Sequence, residues 1–243
     1  MITMSPGHWK PGTGAVGIID EVTEARKVVN RVIAKLKNMG IRVHHVEDNT
    51  SKKQRENLQY LIGAHNQTKR QLDVSIHFNA VASKQTRAIG TEVLYKKAAV
   101  RSIAARLSKG VADAAGYPDR GAKQRNDLAF LNGTTEDAVL IEICFVNSTA
   151  DVSLYKRHFE AICRAIAKTL AQFIQPNSNP FSSAALYERI QKLYYDKSFV
   201  KVIVEKGISQ GCFSVTWREK LEKDQLTLND FCGLCVLLLE KGE

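Results

Sequence analysis

The chain has no run of about twenty consecutive apolar residues, which excludes a membrane-spanning helix. Its first residues, "MITM", carry no basic segment followed by a long apolar one, so no signal peptide is expected. Cysteine is scarce and unpaired in number: five residues at irregular spacing do not make a disulfide framework and are expected as reduced thiols. Internal repeats and low-complexity runs are absent, which argues against a solenoid or a disordered chain. Acidic residues are the minority charge, 25 against 35 Lys and Arg, leaving a net charge of +10. A basic surface favours a polyanion, whether nucleic acid, anionic membrane or wall polymer, and does not choose among them.

What is present is a core-forming chain of 243 residues, 44% apolar, enough for one domain of ordinary size and a smaller one, or for a single larger domain. Residues 1–174 alternate between two periods. "EVTEARKVVNRVIAKLKNMG" places Val28, Val32, Ile33 and Leu36 at helical spacing and stops at Gly40. "IRVHHV", "LDVSIHFNA", "GTEVLYKKA" and "DAVLIEICFVN" are expected as strands. "SKKQRENLQYLIGAHNQT" is expected as a helix with Leu58, Leu61 and Ile62 inward. "VRSIAARLSKGVADAAG" and "YKRHFEAICRAIAKTLAQFI" complete the helices. The alternation predicts an α/β fold: a twisted, mostly parallel sheet flanked by helices on both faces. Residues 175–183, rich in Pro, Asn and Ser, read as a linker. Residues 184–243 read as a small all-helical module, with capping-box spacing at Thr216 and Glu219. About sixty residues make a marginal core alone, so this module is expected to dock or self-associate.

In parallel sheets, ligands bind beyond the carboxyl ends of the strands. His8 follows the first short strand, inside "MSPGHWKPGTG". A phosphate loop would set its glycines at a helix N-terminus, usually with a Lys-Ser/Thr pair next, and no such pair follows here. His77 lies near the end of "DVSIHFNA", with Ser75 and Asn79 on its face and Val74, Ile76 and Phe78 on the other. A lone strand histidine is more often a satisfied core residue than a ligand. Glu142 sits within the apolar run "AVLIEICFV". Burying a bare carboxylate is costly, so it must pair with a cation, hold a proton or face a site. Glu21 opens the first long helix, where acids are common in any case, and Glu24 shares its face. Two histidines and one carboxylate nonetheless suit a catalytic zinc with one position open for water.

In order along the chain, "PGHWKPGTGAVG", "DEVTEARKVV", "DVSIHFNA" and "AVLIEICFVNS" resemble the zinc-dependent N-acetylmuramoyl-L-alanine amidases of the third amidase family, and more narrowly phage endolysins that attack Gram-positive walls. The resemblance covers about residues 1–174. It implies His8, Glu21 and His77 as ligands of one zinc ion (Zn2+), and Glu142 as the catalytic residue. It implies Asn79, Arg120, Asn126 and Leu128 as substrate contacts. Trp9, where relatives often carry glycine, is expected to narrow the groove or to add a stacking face for sugar or peptide. Spacing favours Glu21 over Glu24. The implied partners are peptidoglycan and its anionic polymers, with no nucleic acid. The implied setting is synthesis in the cytoplasm and action on the wall after release, through a holin-type pore or mother-cell lysis. Two other readings compete: a different zinc hydrolase, such as a deacetylase or peptidase, and a nucleic-acid-binding protein suggested by charge alone. Cys232 and Cys235 form a CxxC spacing, but between Phe231, Leu234 and Leu237 they are expected as small apolar fillers. His44, His45 and His65 are expected as surface or packing residues.

Overall fold

The computed structural model describes residues 1–175 and 184–240. The expected linker therefore lies, apart from Gln175, outside the described residues, as do residues 241–243. The chain divides into two compact units, Met1–Gln175 and Pro176–Glu243.

The first unit begins with β1 (Ile2–Pro6), α1 (Glu21–Asn38), β2 (Val43–His45), α2 (Gln54–Asn66), β3 (Leu72–Asn79) and β4 (Thr91–Tyr95). There follow α3 (Arg101–Ala115), β5 (Asp119–Gln124), α4 (Ala129–Gly133), β6 (Ala138–Phe145) and α5 (Thr149–Ile174). The six strands form one sheet in the order β2-β1-β3-β6-β4-β5. Every neighbouring pair is parallel except β4 with β6. The mostly parallel α/β fold is therefore as expected. One sheet face carries Ile2, Met4, Val74, Ile76, Val139 and Ile141, packed against the apolar stripes of α1, α3 and α5. The other face carries Leu94, Ala138 and Leu140, covered by Phe130 and Leu131 of α4.

Local chemistry explains the helix ends. Asp20 caps α1 by accepting the Thr23 N–H at 2.8 Å. Gly116 closes α3 in the left-handed region, φ +76°, where glycine carries no Cβ penalty. Ser148 caps α5, so that helix starts six residues before the expected Tyr155. Two expectations are corrected. The inward face of α2 is Asn57, Leu61 and His65, with Leu58 and Ile62 only partly buried. The edge strand β5, "DRGAKQ", was not expected, because it lacks both alternation and β-branched residues.

The second unit holds α6 (Ala184–Tyr195), α7 (Lys197–Ser209), α8 (Thr216–Glu222) and α9 (Leu228–Glu240). Val200, Val204, Phe213, Leu226, Phe231 and Leu234 form its core, and Cys212, Cys232 and Cys235 pack against it. The expected capping box at Thr216 is corrected, because Val215 occupies the cap position and makes no side-chain bond. The reciprocal pair lies instead at the start of α9. There Asp230 N–H donates to Thr227 Oγ1, and Thr227 N–H donates to Asp230 Oδ2, both at 3.0 Å. Among the described residues, no helix is long and apolar enough to cross a membrane.

Candidate metal centre

Three donors converge past the carboxyl ends of β1 and β3. His8 Nε2 lies 3.3 Å from Glu21 Oε2, and His77 Nδ1 lies 2.9 Å from Glu21 Oε1. One ligand atom from each of the three residues falls within 4.8 Å of the others. A tetrahedral zinc with ordinary bond lengths sets its ligand atoms roughly 3.3 Å apart, so this donor set fits the ion with little adjustment. Glu21 is buried, and its remaining lone pairs are occupied: Ala15 N–H donates to Oε2 at 2.6 Å and Phe78 N–H to Oε1 at 3.1 Å. Burial works against its charge, but hydrogen bonds from His77 and His8 outweigh it and hold the carboxyl well below the usual range. Glu24 points elsewhere, to Lys27 and to the Tyr155 hydroxyl at 2.9 Å.

The glycine-rich turn makes room for this geometry. His8 itself is left-handed, φ +63°, a strained setting for a residue with a side chain. A Cβ at Gly7 would stand 2.1 Å from His77 Cε1, and one at Gly14 would stand 2.5 Å from Glu21 Oε2. Arg26 ties the turn down, donating to the carbonyls of Trp9 at 2.7 Å and Asp48 at 3.0 Å.

Glu142 is in register with His77 on β3 and with Glu92 on β4, so the three side chains share one face of the sheet. Its Oε2 is buried and, among the described residues, has no hydrogen-bond partner. Burial, then the neighbouring charges of Glu21 and Glu92, push its carboxyl up to about 8. Among the described residues, Glu142 has no ion pair of the kind that would have made it structural. A carboxyl so held can exchange a proton with a reacting group close to neutral pH, as a base when ionised and as an acid once protonated.

The expected substrate contacts are placed unevenly. Asn79 follows His77 and donates to Glu92 Oε1 at 3.2 Å. Arg120 Nε donates to Glu92 Oε2 at 2.6 Å. Leu128 packs beside Leu94 and Leu140 on the same face as Glu142, and Asn126 is exposed. Trp9 does not offer an open stacking face, one of the two roles expected of it: it is only 8% exposed, and among the described residues its indole Nε1 has no partner. Glu92 was missed in the sequence. Its signal resembles that of Glu142, an acid inside a short apolar strand, "GTEVLY".

The model of the N-acetylmuramoyl-L-alanine amidase family (Amidase_3) matches residues 2–175, and the chain belongs to this family, which is generally zinc-dependent. An uncharacterised protein of Clostridium perfringens is 33% identical over 159 residues, 64% of this chain and 46% of its own length. The chain spans about half the length of the curated relatives it matches. The catalytic domain of CwlV, an N-acetylmuramoyl-L-alanine amidase of Bacillus (Paenibacillus) polymyxa var. colistinus, matches with 26% identity and a TM-score of 0.62, covering 72% of this chain and 98% of that one. The catalytic domain of the CD27L endolysin, which targets Clostridia difficile, shares the fold at 24% identity and a TM-score of 0.62, covering 70% of this chain and 95% of that one.

Proposed function

We propose that this member of the N-acetylmuramoyl-L-alanine amidase family hydrolyses peptidoglycan at the amide joining the lactyl group of N-acetylmuramic acid to L-alanine. His8, Glu21 and His77 would hold one zinc ion. When bound, that ion supplies a Lewis acid for the lactyl carbonyl and makes a nearby water acidic enough to ionise near neutrality. Glu142 takes the proton from the attacking water and delivers it to the alanine nitrogen as that bond breaks. Glu21 is oriented by the N–H groups of Ala15 and Phe78. Asn79, Arg120, Asn126 and Leu128 are the substrate-contact candidates.

One observation carries this reading. A convergent His-Glu-His donor set stands one strand away from a buried carboxyl oxygen with no partner. The basic balance of the chain suits anionic wall polymers. The helical unit is assigned to wall binding or self-association, with residues 1–174 as the catalytic domain and the segment around 175–183 as the connection. Bacteriolysis of the endolysin type, after release of the protein to the wall, is the setting that fits these parts.

The test is a digest of purified peptidoglycan followed by fragment mass spectrometry. The expected result is new N-terminal alanine with no new reducing sugar ends, lost on zinc chelation and restored by zinc. Acetate release without free alanine would point to a deacetylase and overturn the proposal.

A further inference from the structure

Glu92 accepts two cations on one carboxylate oxygen: Arg120 Nε at 2.6 Å and Lys123 Nζ at 2.5 Å, both reaching from the edge strand β5. Asn79 donates to its other oxygen at 3.2 Å. Glu92 is itself buried, 6% exposed, whereas the Arg120 and Lys123 side chains are 35% and 41% exposed. The cluster therefore carries a net positive charge, and its cations, not its anion, meet solvent. Arg120 is also fixed from below, with its guanidinium carbon 5.2 Å from the centre of the Phe145 ring. Its Nε is engaged by Glu92. Among the described residues the two terminal nitrogens have no hydrogen-bond partner, so the planar fork that matches a carboxylate stays open.

The surroundings make the charge meaningful. Glu21, Glu92 and Glu142 all stand at this end of the sheet. An acidic ligand approaching them is repelled unless a cation is placed to receive it.

We propose that Arg120, held by Glu92 and Phe145 and reinforced by Lys123, is a carboxylate-binding arm of the site, and that it selects acidic over amidated peptide stems. The ligand class is the first free carboxylate along the peptide beyond the amide that is cut. Glu92 is the positioning residue: it touches no substrate but fixes the fork that does. This inference rests on the amidase reading for the identity of the peptide, but not for the presence of the arm.

The probe is a pair of synthetic muramoyl tripeptides that differ only in whether the carboxyl of the second amino acid is free or amidated. Both calorimetric binding and kcat/KM are measured on the full zinc-loaded chain. The expected result is an acid-over-amide preference of about tenfold, appearing in Kd and KM rather than kcat. Arg120→Gln should abolish the preference, and Arg120→Lys, which keeps charge but not the fork, should retain only part of it. Glu92→Ala should weaken the preference, and Glu92→Gln, which still accepts from Arg120, should restore some of it. That recovery separates positioning from mere loss of folding. Equal affinity for the two peptides, or an unchanged preference in Arg120→Gln, would overturn the arm. If neither peptide is cut but the acid still binds more tightly, the arm stands and the amidase reading is what fails.

Discussion

Two histidine–carboxylate clusters occupy the same face of one sheet and differ in almost every polar contact. Under α2, Ser5, His65 and Asp73 line up as Oγ, imidazole and carboxylate, with separations of 3.1 and 2.7 Å. These are the residue types of a hydrolytic triad. All three are completely buried, however, and Asp73 is also saturated by Arg70, whose Nε and Nη2 donate to its two oxygens at 2.5 and 2.7 Å. Past the strand ends, His8, Glu21 and His77 aim their donor atoms at one small region, and Glu142 keeps an oxygen without a partner. The sealed cluster spends its polarity on itself and so contributes rigidity. The open cluster leaves polarity unspent, which is the condition for binding and chemistry. Residue identity alone does not separate the two; satisfaction of hydrogen bonds does.

The sharpest way to test this contrast is to remove one carboxylate from each cluster. Glu142→Ala is expected to lower kcat/KM on wall fragments by about a thousandfold, the scale of a lost general acid–base group. Zinc content and melting temperature should hold or rise, because the wild-type oxygen is buried without compensation. Asp73→Ala should do the reverse. Stripping the partner from a buried Arg70 costs about 3–5 kcal/mol, or of order 10 °C in Tm, with zinc still bound at low temperature. Near-normal activity in Glu142→Ala, or an undisturbed melt in Asp73→Ala, would erase the distinction.

A smaller effect is expected from shape alone. Gly7→Ala places a methyl against the His77 ring and should weaken zinc affinity tenfold to a hundredfold, the range seen when ligand orientation is disturbed. Gly63→Ala, in the helix that covers the sealed cluster, meets nothing within 4 Å and should stabilise by roughly 0.5–1 kcal/mol. Zinc titration and thermal melts of the two variants check both. Equal zinc affinity in Gly7→Ala and wild type would mean that the turn does not mount the histidines.

Much of this architecture was legible in the chain. Helical and strand periods gave the α/β order because the sheet is buried on both faces and its strands are near-continuous apolar runs. His77 and Glu142 stood out as polar residues interrupting such runs, and strand-end logic brought in His8. The limits have physical causes. The edge strand β5 is held by pairing to β4, not by its own pattern, so "DRGAKQ" was silent. Glu21 and Glu24 share a helical face; spacing already favoured Glu21, and the approach of β3, which carries His77, separates the two in space. Glu92 went unremarked because its cations arrive from that silent strand. Trp9 sits in a glycine-rich turn that reads as exposed, whereas the structure buries its ring and Arg26 fastens its carbonyl.

The subtlest difference between the clusters is their response to acid. His65 is buried, and burial lowers its pKa more than the neighbouring Asp73 raises it. Arg70 already neutralises Asp73, so a protonated His65 would leave an excess charge in the core. Neutral His65 donates from Nδ1 to Asp73 and accepts the Ser5 hydroxyl at Nε2. With the folded pKa below the unfolded value near 6.5, the unfolded chain takes up a proton that the folded chain refuses. The contribution is therefore complete above about pH 6.5 and is lost as pH falls through that value toward the lowered folded one. Denaturant melts of the zinc-free protein from pH 8 to pH 5 should show stability falling over this window. His65→Gln should be less stable at pH 8 and should lose this component of the slope. Parallel pH profiles for wild type and variant would mean that the sealed cluster does not hold its histidine neutral.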